Sequence, residues 1–206
     1  MVRLKADTTY VFEMRLFIAI DLSEEAREAM AAEQKRIAAA LGTKASLKWV
    51  KPEHAHLTLV FLGTVDADRA TSVVEAVGRD VDLAPFDMVL QGVGVFPPRG
   101  APRVLWIGIA GGAAAMTTLQ RELAARVAAL GIALEDRPFH PHLTLGRWRE
   151  SRPSDRDRAV RAAQPAAVAR VHVECATLYE SRLSPSGATY TALTRANLSP
   201  RPLSRT

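Results

Sequence analysis

The tetrapeptide His-Leu-Thr-Leu occurs twice in this chain, at 56–59 and again at 142–145. In a β-strand alternate side chains share a face. Each copy therefore turns a histidine and a threonine one way and two leucines the other. His56 with Thr58, and His142 with Thr144, are expected to line a polar space, while Leu57, Leu59, Leu143 and Leu145 enter a core. By chance two identical tetrapeptides of this kind arise in roughly 1% of comparable chains, so the repeat asks for an explanation. The motif histidines lie 142 − 56 = 86 residues apart, about half the folded length. That spacing reads as an ancient duplication, its halves related by a pseudo-two-fold axis.

The flanking sequence supports the duplication. Arg15 to Asp21 has strand character, and Ser23 followed by Glu24 and Glu25 opens a helix that runs to Leu41 and stops at Gly42. Strands are expected at Leu47–Val50, Ala55–Phe61 (ended by Gly63), Phe86–Val95, Arg103–Ile109 and Leu143–Arg147. Helical spacing marks Asp66–Arg79 and Ala113–Leu130. Ser151–Asp157 reads as a loop leading into a short helix at Arg158–Ala163. Val168–Glu174, Ala176–Ser181 and Thr189–Thr194 read as closing strands, with a hairpin turn at Ser184-Pro-Ser-Gly187. Each half has a long helix before its motif strand and a shorter one after it. The elements do not alternate strictly, so the expected fold is α+β: a bilobal duplication of two largely antiparallel sheets with outer helices around a central cleft.

No Pro/Gly-rich linker divides the chain. Residues 1–13 read as a dispensable extension, with Met14 an alternative start, residues 14–196 as one bilobal domain, and 197–206 as a polar tail. The extension lacks the apolar region of a signal peptide, and no apolar run reaches the roughly 20 residues of a membrane helix. The one cysteine, Cys175, excludes an intrachain disulfide and suits the cytoplasm. It reads as a small buried hydrophobe. The net charge of +5 suits a polyanion, but 22 of the 27 basic residues are Arg, a bias that GC-rich codon usage also produces.

Two imidazoles and two hydroxyls facing one space are the set that phosphoester cleavage needs. One histidine accepts a proton from the nucleophile and the other donates one to the leaving oxygen. Threonine hydroxyls hold the non-bridging oxygens. The set needs no metal and no cofactor. A zinc site is the competing reading, because His54/His56 and His140/His142 form two i, i+2 pairs. Threonines at i+2 are poor ligands, and no carboxylate or cysteine shares the motif. Spacing alone leaves open which histidine is donor and which acceptor.

These residues resemble the two-histidine phosphoesterase superfamily, and within it the bacterial and archaeal RNA 2′,3′-cyclic phosphodiesterase (2′–5′ RNA ligase) family. The resemblance rests on both motifs, the second in Phe139-His-Pro-His-Leu-Thr-Leu-Gly-Arg147. It rests also on Arg15-Leu-Phe-Ile-Ala-Ile, Trp49-Val50, Phe61-Leu-Gly63, Leu178-Tyr-Glu-Ser-Arg-Leu183 and Gly187-Ala-Thr-Tyr190. It covers residues 14–194, and the one departure from the family pattern is the N-terminal extension. It implies hydrolysis of terminal 2′,3′-cyclic phosphates on RNA or nucleotides to 2′-phosphates, and a reversible, ATP-independent 2′–5′ joining. By motif position, His56 would protonate the 3′-oxygen, His142 would activate water, and Thr58 and Thr144 would hold the phosphate. Arg147 is a further phosphate contact, and Phe17 a base-stacking candidate in a strand that otherwise reads as core. Lys48, Arg103 and Arg182 are candidates for cations at the cleft edge, and His172 has no assigned role. The partner is expected to be such an RNA end or nucleotide, met by a monomer. Alternatives are another small cyclic phosphate, such as ADP-ribose 1″,2″-cyclic phosphate, and an idle RNA-end binder.

Overall fold

A computed structural model describes residues 13–42, 46–185 and 187–200; most of the N-terminal extension, Ser186 of the expected hairpin turn and the last six residues lie outside them. In chain order the elements are β1 (Glu13–Asp21), α1 (Glu24–Leu41), β2 (Ser46–Trp49), a 3₁₀ turn (Pro52–His54), β3 (His56–Asp66), α2 (Ala67–Val77), β4 (Phe86–Phe96), β5 (Val104–Gly111), α3 (Ala113–Ala128), β6 (His142–Glu150), α4 (Pro153–Ala162), β7 (Ala169–Val173), β8 (Cys175–Ser184) and β9 (Gly187–Asn197).

The local signals act as the sequence implies at α1. The Ser23 side chain accepts from the Ala26 backbone N–H at 3.3 Å, and Gly42 closes the helix at φ 72° with its N–H on the Ala38 carbonyl. Ala26, Met30, Ile37 and Leu41 form the stripe this helix buries.

The strands form two antiparallel sheets, ordered β3-β1-β8-β9 and β2-β6-β5-β4-β7. Each motif strand lies in a different sheet, and β3 and β6 pack against one another across the two. Leu57, Leu59, Leu143 and Leu145 join one continuous core. The long helices are exchanged between the sheets. α1 leaves β1 of the first sheet for β2 of the second and packs with α4 and β7, while α3 connects two strands of the second sheet yet packs with α2 and β3. Sequence neighbours therefore belong to different layers, and the lobes interlock.

Three expectations need correction. Gly63 does not end its strand: at φ +70° it takes the left-handed backbone beside a bulge in the β1–β3 ladder, and β3 continues to Asp66. The polar stretch after Ser151 is helical from Pro153, because only Asp155 and Ala159 of α4 need to be buried. β9 runs to Asn197 against the full length of β8, and Leu198 is buried on a parallel bridge with Val81.

Gln34 of α1 joins the layers beneath β6. Its buried amide donates to the carbonyls of Val50 at 2.8 Å and Leu145 at 2.9 Å. Gln34→Leu removes both bonds and leaves buried carbonyl capacity unmet, at a cost of about 1–3 kcal/mol. Urea unfolding should show a midpoint lowered to match, and an unchanged midpoint would mean these bonds contribute nothing net.

Candidate active site

The two motif strands share a defect as well as a sequence. In the β1–β3 ladder Ala19 pairs with Thr58 and Ile18 with Val60, so Leu59 is the extra residue. In the β5–β6 ladder Trp106 pairs with Thr144 and Leu105 with Gly146, so Leu145 is the extra residue. A bulge shifts the alternation by one. The residue five beyond each histidine, Phe61 or Arg147, thus shares a face with the histidine and threonine. Thr58 and Thr144 are both half-buried there, above their buried leucines.

Each imidazole is held in the same way. His56 Nδ1 lies 2.8 Å from the His54 carbonyl oxygen, and His142 Nδ1 lies 2.7 Å from the His140 carbonyl oxygen. A carbonyl only accepts, so each Nδ1 carries its proton and Nε2 is left to exchange one. His54 and His140 thus serve through their backbones. The His54 ring rests edge-on against Tyr190 at 5.5 Å.

The surroundings differ in charge. Around His56 stand Phe17 at 4.8 Å and Tyr190 at 5.2 Å between ring centroids. Asp21 is its cross-strand partner and accepts from Thr177 Oγ1 at 2.9 Å and Tyr179 Oη at 2.6 Å. Burial and the hydrogen bond to this carboxylate push the Tyr179 phenol up to about 12. Around His142 stand Phe96 at 5.1 Å and Trp106 at 6.2 Å. The Trp106 indole lies so close over the second sheet that a Cβ at Gly94 would meet it at 2.2 Å. Burial lowers the pKa of both histidines, and the carbonyl bonds oppose this. Asp21 further raises His56 and His54 lowers it, whereas Arg147 and His140 further lower His142.

Of the residues singled out in the sequence, His56, Thr58 and Phe17 gather on the first sheet, and His142, Thr144 and Arg147 on the second. Phe17 is 4% exposed, with His56, Tyr179 and Tyr190 around it, so it supports the His56 ring and has little surface to give a base. Lys48 is the cross-strand partner of Arg147. Arg182 lies two residues from Glu180, which pairs with core-facing Leu16; it binds that carboxylate at 2.9 Å on the sheet's other side, away from the cleft. His172 bonds Asp87 at 2.7 Å on β7, at the far edge of the second sheet. Cys175 is half-buried, and burial raises its thiol pKa. Sequence reasoning did not find Asp21, Tyr179, Trp106 or Phe96. Only Asp21 left a trace, as a charge at the end of an apolar strand. Among the described residues no group of three or more His, Cys, Asp or Glu side chains could hold a metal ion.

A two-lobed α+β fold with one carbonyl-anchored imidazole on each motif strand defines a class of paired-histidine proteins. Residues 26–184 match the model of the 2′-5′ RNA ligase superfamily, and the chain belongs to that superfamily. An RNA 2′,3′-cyclic phosphodiesterase from Archaeoglobus fulgidus is 34% identical over 177 residues, covering 86% of this chain and 96% of the relative. A crystal structure from Thermus thermophilus superposes with a TM-score of 0.71 at 31% identity, covering 90% of this chain and 98% of that one. E. coli LigT, in a complex with 3′-AMP, superposes with a TM-score of 0.72 at 29% identity, covering 91% and 99%. No helix among the described residues is long and apolar enough to cross a membrane.

Proposed function

We propose that this protein hydrolyses 2′,3′-cyclic phosphates at RNA ends to 2′-phosphates, with His56 and His142 as the acid/base pair. The observation that carries the reading is the duplicated anchoring of both rings through Nδ1, which leaves two Nε2 atoms for proton transfer. Water attacks phosphorus as His142 Nε2 takes its proton. The P–O3′ bond breaks as His56 Nε2 gives its proton to O3′. The product is a 2′-phosphomonoester beside a free 3′-hydroxyl. Thr58, Thr144 and Arg147 meet the charge on the non-bridging oxygens. Electrostatics supports the assignment, because the Asp21 carboxylate favours an imidazolium at His56 and the Arg147 guanidinium disfavours one at His142. With an RNA 5′-hydroxyl in place of water, the same steps form a 2′–5′ phosphodiester. One chain supplies both histidines, so the site needs no second subunit, which supports action as a monomer, and its single cysteine suits the cytoplasm.

The test is purified protein with RNA ending in a 2′,3′-cyclic phosphate, in EDTA, with the product followed by ³¹P NMR. We expect a 2′-phosphate at the same rate with or without chelator. Turnover abolished by EDTA would point to a metal enzyme, and tight binding without turnover to an RNA-end binder.

The pH profile follows from the same neighbours. With both histidines below their ordinary value of about 6.5, the optimum of kcat/KM falls below that pH. Removing the anion in Asp21→Asn lowers the pKa of the acid, which then loses its proton earlier, and the optimum moves down. Removing the cation in Arg147→Gln raises the pKa of the base, which stays protonated to higher pH, and the optimum moves up. Shifts in the reverse directions would mean that Asp21 and Arg147 do not set the pKa values of these two histidines.

A further inference from the structure

We propose that Phe61 and Arg15 form a second subsite, which stacks the base of a nucleotide beyond the one carrying the reacting phosphate. The proposal rests on the reading of His56 and His142 given above and extends it to the length of RNA the enzyme prefers.

A single exposed apolar side chain is ordinary on a protein surface. Three observations separate Phe61 from that background. The bulge at Leu59 places it on the face of His56 and Thr58, at the position Arg147 holds in the other half. Without that extra residue the alternation would have sent it into the core. Its ring is 38% exposed, on an edge strand of the first sheet, and no aromatic ring covers it among the described residues. The Arg15 guanidinium, one pleat along β1, lies over the ring, 5.1 Å from its centroid. Arg15 is exposed and makes no ion pair among the described residues, so its charge is free to meet a phosphate.

An exposed ring with an unneutralised guanidinium over it offers a planar stack that a base can join and a charge for a phosphate, the combination by which proteins hold single-stranded nucleic acid whatever its sequence. Because Leu59 is the extra residue, the span from His56 to Phe61 matches the four residues from Asp21 to Phe17 on β1, roughly 13 Å at strand rise. The base of the reacting nucleotide cannot reach that far, but the base of a neighbour in the chain can. Phe17, buried under His56, does not compete for that role. The duplication thus gives the two halves different equipment at one position: on β6 a long cation whose charge is felt at His142, and on β3 a stacking platform beyond Thr58.

The experiment compares wild type, Phe61→Ala, Phe61→Trp and Arg15→Gln on a short oligoribonucleotide with a 2′,3′-cyclic end and on a 2′,3′-cyclic mononucleotide. In Phe61→Ala the ratio of kcat/KM on the oligonucleotide to that on the mononucleotide should fall about tenfold, the scale of one lost stacked base. Phe61→Trp should keep the ratio, and Arg15→Gln should lower it less. Fluorescence anisotropy with the same oligonucleotide ending in a 3′-hydroxyl should show a matching loss of affinity in Phe61→Ala. An unchanged ratio and unchanged affinity would overturn the subsite, as would an equal loss in Phe61→Trp. If wild type turned over neither substrate, the catalytic reading would fail, while the anisotropy measurement would still decide the subsite.

Discussion

Alanine in place of His142, or of His56, is expected to lower kcat on a 2′,3′-cyclic phosphate by about 10²- to 10⁴-fold, the contribution of one positioned acid or base. The geometry makes the test clean. Both rings are only half-buried, and each is tied by one hydrogen bond to a carbonyl two residues back, in the segment leading into its strand. Truncating either removes no packed core residue, because the adjacent Leu57 and Leu143, both 0% exposed, stay in place. Thermal melts should therefore move little while turnover collapses. The double variant should lose much less than the product of the single losses, since acid and base act in one step. Either single variant turning over at the wild-type rate would remove the acid/base mechanism.

Thr58→Val and Thr144→Val are each expected to lower kcat by about 10²- to 10³-fold, the scale of a lost donor to an oxygen on which charge develops. Valine keeps the branched shape and strand preference of threonine and deletes only the hydroxyl. Thr58 pairs with Ala19 and Thr144 with Trp106 across their ladders, and neither pairing depends on the hydroxyl. Serine at either position should restore most of the activity. The split between kcat and KM is the informative readout. A rise in KM alone would mean that the hydroxyls bind the ground state and the transition state equally.

Much of this architecture was legible in the chain. The repeated tetrapeptide placed the histidines and threonines on one face and the leucines on the other, because strand alternation is local. The Ser23 cap and the Gly42 stop were legible for the same reason, since each acts within a turn of its own position. The bulges at Leu59 and Leu145 were not, because a bulge belongs to a pair of strands and to neither alone. The bulges turn Arg147 to the face of His142 and Phe61 to that of His56. Sequence assigned Arg147 to phosphate but gave Phe61 no role.

The exchange of long helices between sheets was equally hidden, since the amphipathic stripes of α1 and α3 say that a face is buried but not against which sheet. The charge contrast between the two histidines was also out of reach. Asp21 meets Thr177 and Tyr179 across 156 and 158 residues of chain, and no local pattern encodes that meeting. The sequence by itself determined which groups exist and on which face of a strand each stands, because period and capping act over a few residues. Only the tertiary structure decided which charge stands beside which imidazole, which aromatic is buried and which is open. Those outcomes depend on strand register and layer packing, where contacts join residues far apart along the chain.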